Sequence, residues 1–133
     1  MARKDRPAAF WGKGAFLLLS LVLLLLGQTS AIFAYDFAVS LGLQDSIEDV
    51  SANGVQVNRD FGVGDTAVYG PLVILALVGL LRRRRWALPV LGAVMGISMY
   101  WAVTILSMLG ILRGTPGFRL NPGVEYWVVL GAY

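Results

Sequence analysis

Phe16–Leu26 reads F-L-L-L-S-L-V-L-L-L-L, ten apolar residues and one serine without a charge. It lies inside a longer uncharged span, Gly14–Tyr35, whose 22 residues reach roughly 33 Å as an α-helix, about one hydrocarbon core. This stretch decides the fold. The sequence is read as an all-α integral membrane protein, a small polytopic helix bundle of one membrane domain, with residues 15–35 as its first transmembrane helix. A positive segment before an apolar run also fits a signal peptide, with Thr29-Ser30-Ala31 as a small-residue cleavage site. The apolar character continues past that site through Ile32–Tyr35, and two more apolar spans follow, which favours a retained helix.

Composition agrees. Of 133 residues 57% are hydrophobic and 14% charged, with a mean hydropathy of +0.70; a soluble domain carries about a quarter charged residues. There is no cysteine and no histidine, which removes disulfides, thiol redox chemistry, thiolate or imidazole metal ligation and the commonest general base near neutral pH.

Outward from the first helix, residues 1–13 carry Arg3, Lys4, Arg6 and Lys13 against Asp5, with Trp11 where an interfacial aromatic would sit. On the other side, residues 36–65 form a polar segment holding Asp36, Asp45, Glu48, Asp49, Asp60 and Asp65 against Arg59. Two local readings compete inside it. Asp45-Ser46-Ile47-Glu48 has the pattern of a capping box opening a short helix. Asn53-Gly54, between Val50-Ser51-Ala52 and Val55-Gln56-Val57, has that of a type I′ hairpin, which we prefer. Phe61-Gly62-Val63-Gly64 reads as a flexible lead-in, and Asp65 as the N-cap of a second helix over 66–81. Pro71 falls in that helix's second turn and predicts a bend.

Arg82, Arg83, Arg84 and Arg85 form a short basic loop, and residues 86–112 are a third uncharged helix with Pro89 in its first turn. Residues 113–123 are a Gly/Pro-rich turn in which Asn121 and Pro122 suit the N-cap and first position of a further helix, with Glu125 favoured by the helix dipole. Residues 124–133 begin that fourth helix but reach only about 15 Å, half a bilayer. A half-inserted segment and the start of a longer span both fit.

Charge orients the chain. Residues 1–13 with 82–85 hold eight basic residues and one acidic; residues 36–66 with 113–125 hold three basic and seven acidic. Alternation of the spans demands the same grouping, so the positive-inside rule places the N-terminus and the arginine loop in the cytoplasm and the acidic loop outside the inner or plasma membrane.

Candidate sites are few. Gly92-Ala93-Val94-Met95-Gly96 is a G-x-x-x-G, whose small residues let another helix approach, either a partner's or one of this chain's own. Ser98, Thr104 and Ser107 offer interhelical hydrogen bonds. Arg82–Arg85 suit anionic lipid headgroups; a nucleic-acid role does not fit a four-residue loop between two membrane helices. A speculative outer pocket would gather Gln28, Thr29, Arg59, Asp60 and Asp65, with backbone N–H groups near Gly62 and Gly64 open to a ligand. No EF-hand rhythm, P-loop, nucleophile elbow, His-Glu-x-x-His or Cys-x-x-Cys is present. No ionisable residue falls inside the three spans as bounded above, whereas proton relays and charged-substrate pathways usually need one. The expectation is a non-catalytic accessory or assembly subunit without cofactor or metal, with lipids and another membrane protein or a second copy as partners. The alternative is a small-solute or lipid-handling protein with an outward polar pocket.

Overall fold

A computed structural model describes residues 7–116, 119 and 122–132, without the side chains of Glu125, Tyr126, Val129 and Ala132. The chain is all-helical: 82% helix, with no strand among the described residues. Three helices are long and apolar enough to cross a membrane: α1 (Ala8–Phe33), α3 (Ile47–Leu81) and α4 (Ala87–Ile111). Two short ones complete the described chain, α2 (Tyr35–Ser40) and α5 (Val124–Ala132). The expected N-cap at Asn121 lies outside the described residues.

The second half of α3 is the central rod, packed on one side by α4 and on the other by the first part of α1. The core is Leu17 and Leu24 from α1, Tyr69, Val73 and Ala76 from α3, and Leu91 and Val94 from α4. Gly79 lets the α3–α4 turn close: a Cβ there would lie 2.7 Å from that of Ala87 and from the Trp86 ring. In that turn Arg83 takes φ 53°, while the amide N–H groups of Arg83 and Arg84 donate to the Leu80 and Gly79 carbonyls at 3.1 and 2.9 Å. This is a Schellman closure with arginine where glycine is usual.

The polar segment departs most from expectation. The hairpin does not form: Asn53-Gly54 lies within helical α3, which opens at Ile47 after Ser46 in extended backbone and bends at Ser51 (φ 68°, ψ 169°). An isolated two-strand hairpin gains little without a third partner, whereas the helix packs residues 47–64 against α1. The helix start is close to the capping-box reading but shifted by one residue. Ser46 is the N-cap, and its hydroxyl donates to the Asp49 carboxylate at 2.6 Å.

The expected lead-in at residues 61–64 is also helical, and Asp65 is not a cap: α3 runs through it, from the bend at Ser51 to Leu81. Gly62 marks the crossing with α1. A Cβ at that position would stand 2.6 Å from the Gln28 carbonyl oxygen, so the two backbones approach closely there.

Two π-helical turns face each other above the core, Leu24–Thr29 in α1 and Asp65–Tyr69 in α3. The second explains how α3 carries Pro71. A proline ring lacks an N–H and crowds the carbonyl four residues earlier, and a widened turn immediately before it relieves both. The anticipated bend is therefore taken up as a π turn.

α1 ends at Ala34 (φ −145°, ψ 65°), and α2 is closed by Gly42 at φ 68°, with the Leu43 N–H on the Ala38 carbonyl at 3.0 Å. That turn folds residues 42–45 back over the end of α1.

Candidate functional site

A cavity of about 420 Å³ opens at the end of the bundle opposite the arginine turn. It is lined from α1 by Ser20, Leu24, Gly27 and Gln28, from α3 by Val57, Asn58, Phe61, Asp65 and Tyr69, and from α4 by Ser98, Trp101, Ile105 and Met108. Residues 42–45 and Leu130 of α5 border it. The helical repeat explains the lining. Positions 57, 58, 61, 65 and 69 fall on one stripe of α3, and 98, 101, 105 and 108 on one stripe of α4.

At the floor, the Tyr69 and Ser98 hydroxyls are 2.7 Å apart, and the Ser98 hydroxyl also reaches the Val94 carbonyl at 3.0 Å. Ser98 has one proton to give, to that carbonyl, so Tyr69 donates to Ser98. Midway along the wall, Trp101 Nε1–H donates to Asp65 Oδ1 at 3.0 Å. The Phe61 ring meets the Trp101 ring edge-on, with centroids 5.1 Å apart. At the rim, Gln44 Nε2 donates to Gln28 Oε1 at 3.4 Å. Asn58 Nδ2 donates to the Tyr35 hydroxyl at 3.0 Å, which in turn donates to the Asp45 carbonyl at 2.9 Å. Burial raises the Tyr35 phenol above its ordinary pKa, the Asn58 bond opposes this, and the Asp45 charge adds to it.

The five residues expected to share an outer pocket do not all meet. Gln28 and Asp65 line the cavity. Thr29 instead bonds Thr66, hydroxyl to hydroxyl at 2.9 Å, and joins the two π turns. Arg59 donates to the Ile32 carbonyl at 2.7 Å and satisfies the end of α1. Asp60 is exposed on α3. The lining is largely apolar rather than the expected polar pocket. It also brings a carboxylate, Asp65, into the bundle. Sequence reasoning placed that residue just outside the second span and missed Trp101, Tyr69 and Ser98 as its neighbours. The available signal was a tryptophan in the middle of an uncharged helix, three residues after a serine.

Gly92 and Gly96 face away from this chain's other helices: a Cβ at either would meet nothing within 4 Å. Met95, Met99 and Val103 are exposed beside them. Of the serines expected to bond between helices, Ser98 does so and Ser107 is exposed. Arg82, Arg83, Arg84 and Arg85 are all exposed. Among the described residues no three acidic, histidine or cysteine side chains converge as a metal site would require.

Fold and site thus define an all-helical chain with three helices of membrane-crossing length and apolarity around a largely apolar cavity lined by Asp65 and, at its rim, Asp45. The chain matches no protein-family model, no curated protein and no solved structure.

Proposed function

We propose that this chain is a multi-pass protein of the inner or plasma membrane, crossing through α1, the second half of α3 and α4. Its N-terminus and arginine turn lie in the cytoplasm and residues 36–65 outside. Support comes from the charge asymmetry between the two sets of connections. Arg82–Arg85 then lie against cytoplasmic headgroups, each worth about 1 kcal/mol near an anionic surface.

Within that membrane the chain acts as a non-catalytic accessory or assembly subunit, packing through α4 on another membrane protein or a second copy. The observation that carries this reading is the open face of Gly92 and Gly96, which no helix among the described residues covers. Small residues four apart let a second helix backbone approach closely, and in lipid such packing, rather than hydrophobic exclusion, drives association. Crosslinking in native membranes followed by mild-detergent purification tests it. A stoichiometric partner or homo-oligomer is expected, and it should be lost from the Gly92→Leu/Gly96→Leu double variant. An assembly that survives both leucines would rule this face out.

The cavity favours a second reading, a small-solute or lipid-handling protein open to the outer side. Its volume of about 420 Å³ lies in the range of ligand sites, and its few polar groups sit among apolar walls as such sites require.

A further inference from the structure

We propose that the cavity between α1, α3 and α4 binds a lipophilic cation, an amphipathic ligand with a protonated amine and an apolar tail, which Asp65 holds by charge. The inference rests on the ligand-handling reading of the cavity and names the ligand class for it.

The first argument is charge complementarity. The lining contains the carboxylates Asp65 and, at the rim, Asp45, and no lysine or arginine among the described residues. The cations among the described residues are placed elsewhere. Arg59 is turned onto the Ile32 carbonyl, Arg82–Arg85 are exposed at the far end of the bundle, and Lys13, Arg113 and Arg119 are exposed. An anionic ligand would therefore meet Asp65 with no lysine or arginine beside it among the described residues, whereas a cation supplies what the site lacks.

The second argument is the cost of the carboxylate. Among the described residues Asp65 accepts one hydrogen bond, from the Trp101 indole. A carboxylate has room for several acceptor contacts, and one set among apolar side chains is costly unless it is paired. A ligand ammonium beside the second oxygen gives that pairing as a charge-assisted hydrogen bond.

The third is the surrounding surface. Phe61, Tyr69 and Trp101 line the wall around Asp65, and aromatic faces, tryptophan above all, attract ammonium groups. Further along α4, Ile105, Met108, Leu109 and Leu112, with Leu130 of α5, offer an apolar wall for a tail. Head and tail thus have separate regions within one cavity.

The test uses the full chain in phosphatidylcholine nanodiscs, with empty nanodiscs as the reference for partitioning. Equilibrium binding is measured for n-decylammonium, the neutral isostere n-decanol and the anion n-decanoate. Saturable binding of decylammonium is expected, at least tenfold tighter than decanol. Asp65→Asn, which keeps an oxygen for Trp101 to donate to, should lower decylammonium affinity at least tenfold and leave decanol unchanged. Ala102→Phe, which leaves Asp65 and Trp101 in place and fills the cavity, should abolish decylammonium binding. If decanol or decanoate binds as tightly as the amine, or Asp65→Asn leaves amine affinity unchanged, the cation assignment is overturned while the cavity remains a ligand site. If none of the three probes binds saturably, both the cation assignment and the ligand-handling reading fall.

Discussion

Ser51 holds φ 68° and ψ 169°, a backbone region that essentially only glycine adopts without strain. Strain of this kind costs on the order of 1–3 kcal/mol. Ser51→Gly should therefore raise the thermal stability of the purified protein, by about 1 kcal/mol once the extra freedom of glycine in the unfolded chain is subtracted. An unchanged or lower melting temperature in detergent would place the bend of α3 somewhere other than Ser51. Gly62 is the opposite case. Its missing Cβ leaves room for the Gln28 carbonyl, a backbone atom that cannot swing aside. Gly62→Ala should cost about 1–3 kcal/mol through overpacking and displace α3 from α1, which a melting curve reads directly. Gly92→Ala, with open space around it, should leave the isolated chain's stability near that of the parent.

At the scale of elements, the paired π turns are the feature that shapes the cavity. Each widens its helix by a residue per turn, and Thr29 and Thr66 join them across the gap. An interhelical hydrogen bond of this kind in a membrane protein is worth about 0.6 kcal/mol on average. A double-mutant cycle with Thr29→Val and Thr66→Val should return a coupling of that size; additive single effects would mean the two hydroxyls do not act on one another. Pro71 supplies the local reason for the turn in α3. The hairpin expected from Asn53-Gly54 fails at this scale too. The dipeptide suits a tight turn, but α1 offers the flanking residues a helix to pack on and no strand to pair with.

At the scale of the whole molecule, the proposed threading can be read with single cysteines, because the chain has none of its own. In intact cells or spheroplasts, a membrane-impermeant thiol reagent should label Asp60→Cys and leave Arg84→Cys unlabelled until the membrane is opened. The reverse pattern would invert the topology. Replacing Arg82–Arg85 with glutamine removes four of the eight basic residues on the proposed cytoplasmic side. It should raise the fraction of chains inserted in the wrong orientation.

The first and last of the long helices, the 66–81 part of α3 and the polarity of their ends are legible in the amino-acid order alone, because hydropathy, helix length and charge are properties of contiguous residues; residues 47–64, read as a hairpin and a lead-in, were not. Residues 86–112 were expected as a helix, and Ala87–Ile111 is one. What shares the cavity was not legible. Asp65 meets Trp101 across 36 positions, and Tyr69 meets Ser98 across 29. Each side chain turns about 100° around its helix per residue, so a single displaced turn changes which groups face one another. The π turns introduce that displacement in both α1 and α3. The same rotation sends Thr29, Arg59 and Asp60 away from Gln28 and Asp65, although all five are polar residues near one end of the bundle. Sequence determined the apolar helices and the charge asymmetry of their ends; the packing of α1 and α4 on α3 decided the site, because rotation and register belong to contacts between helices.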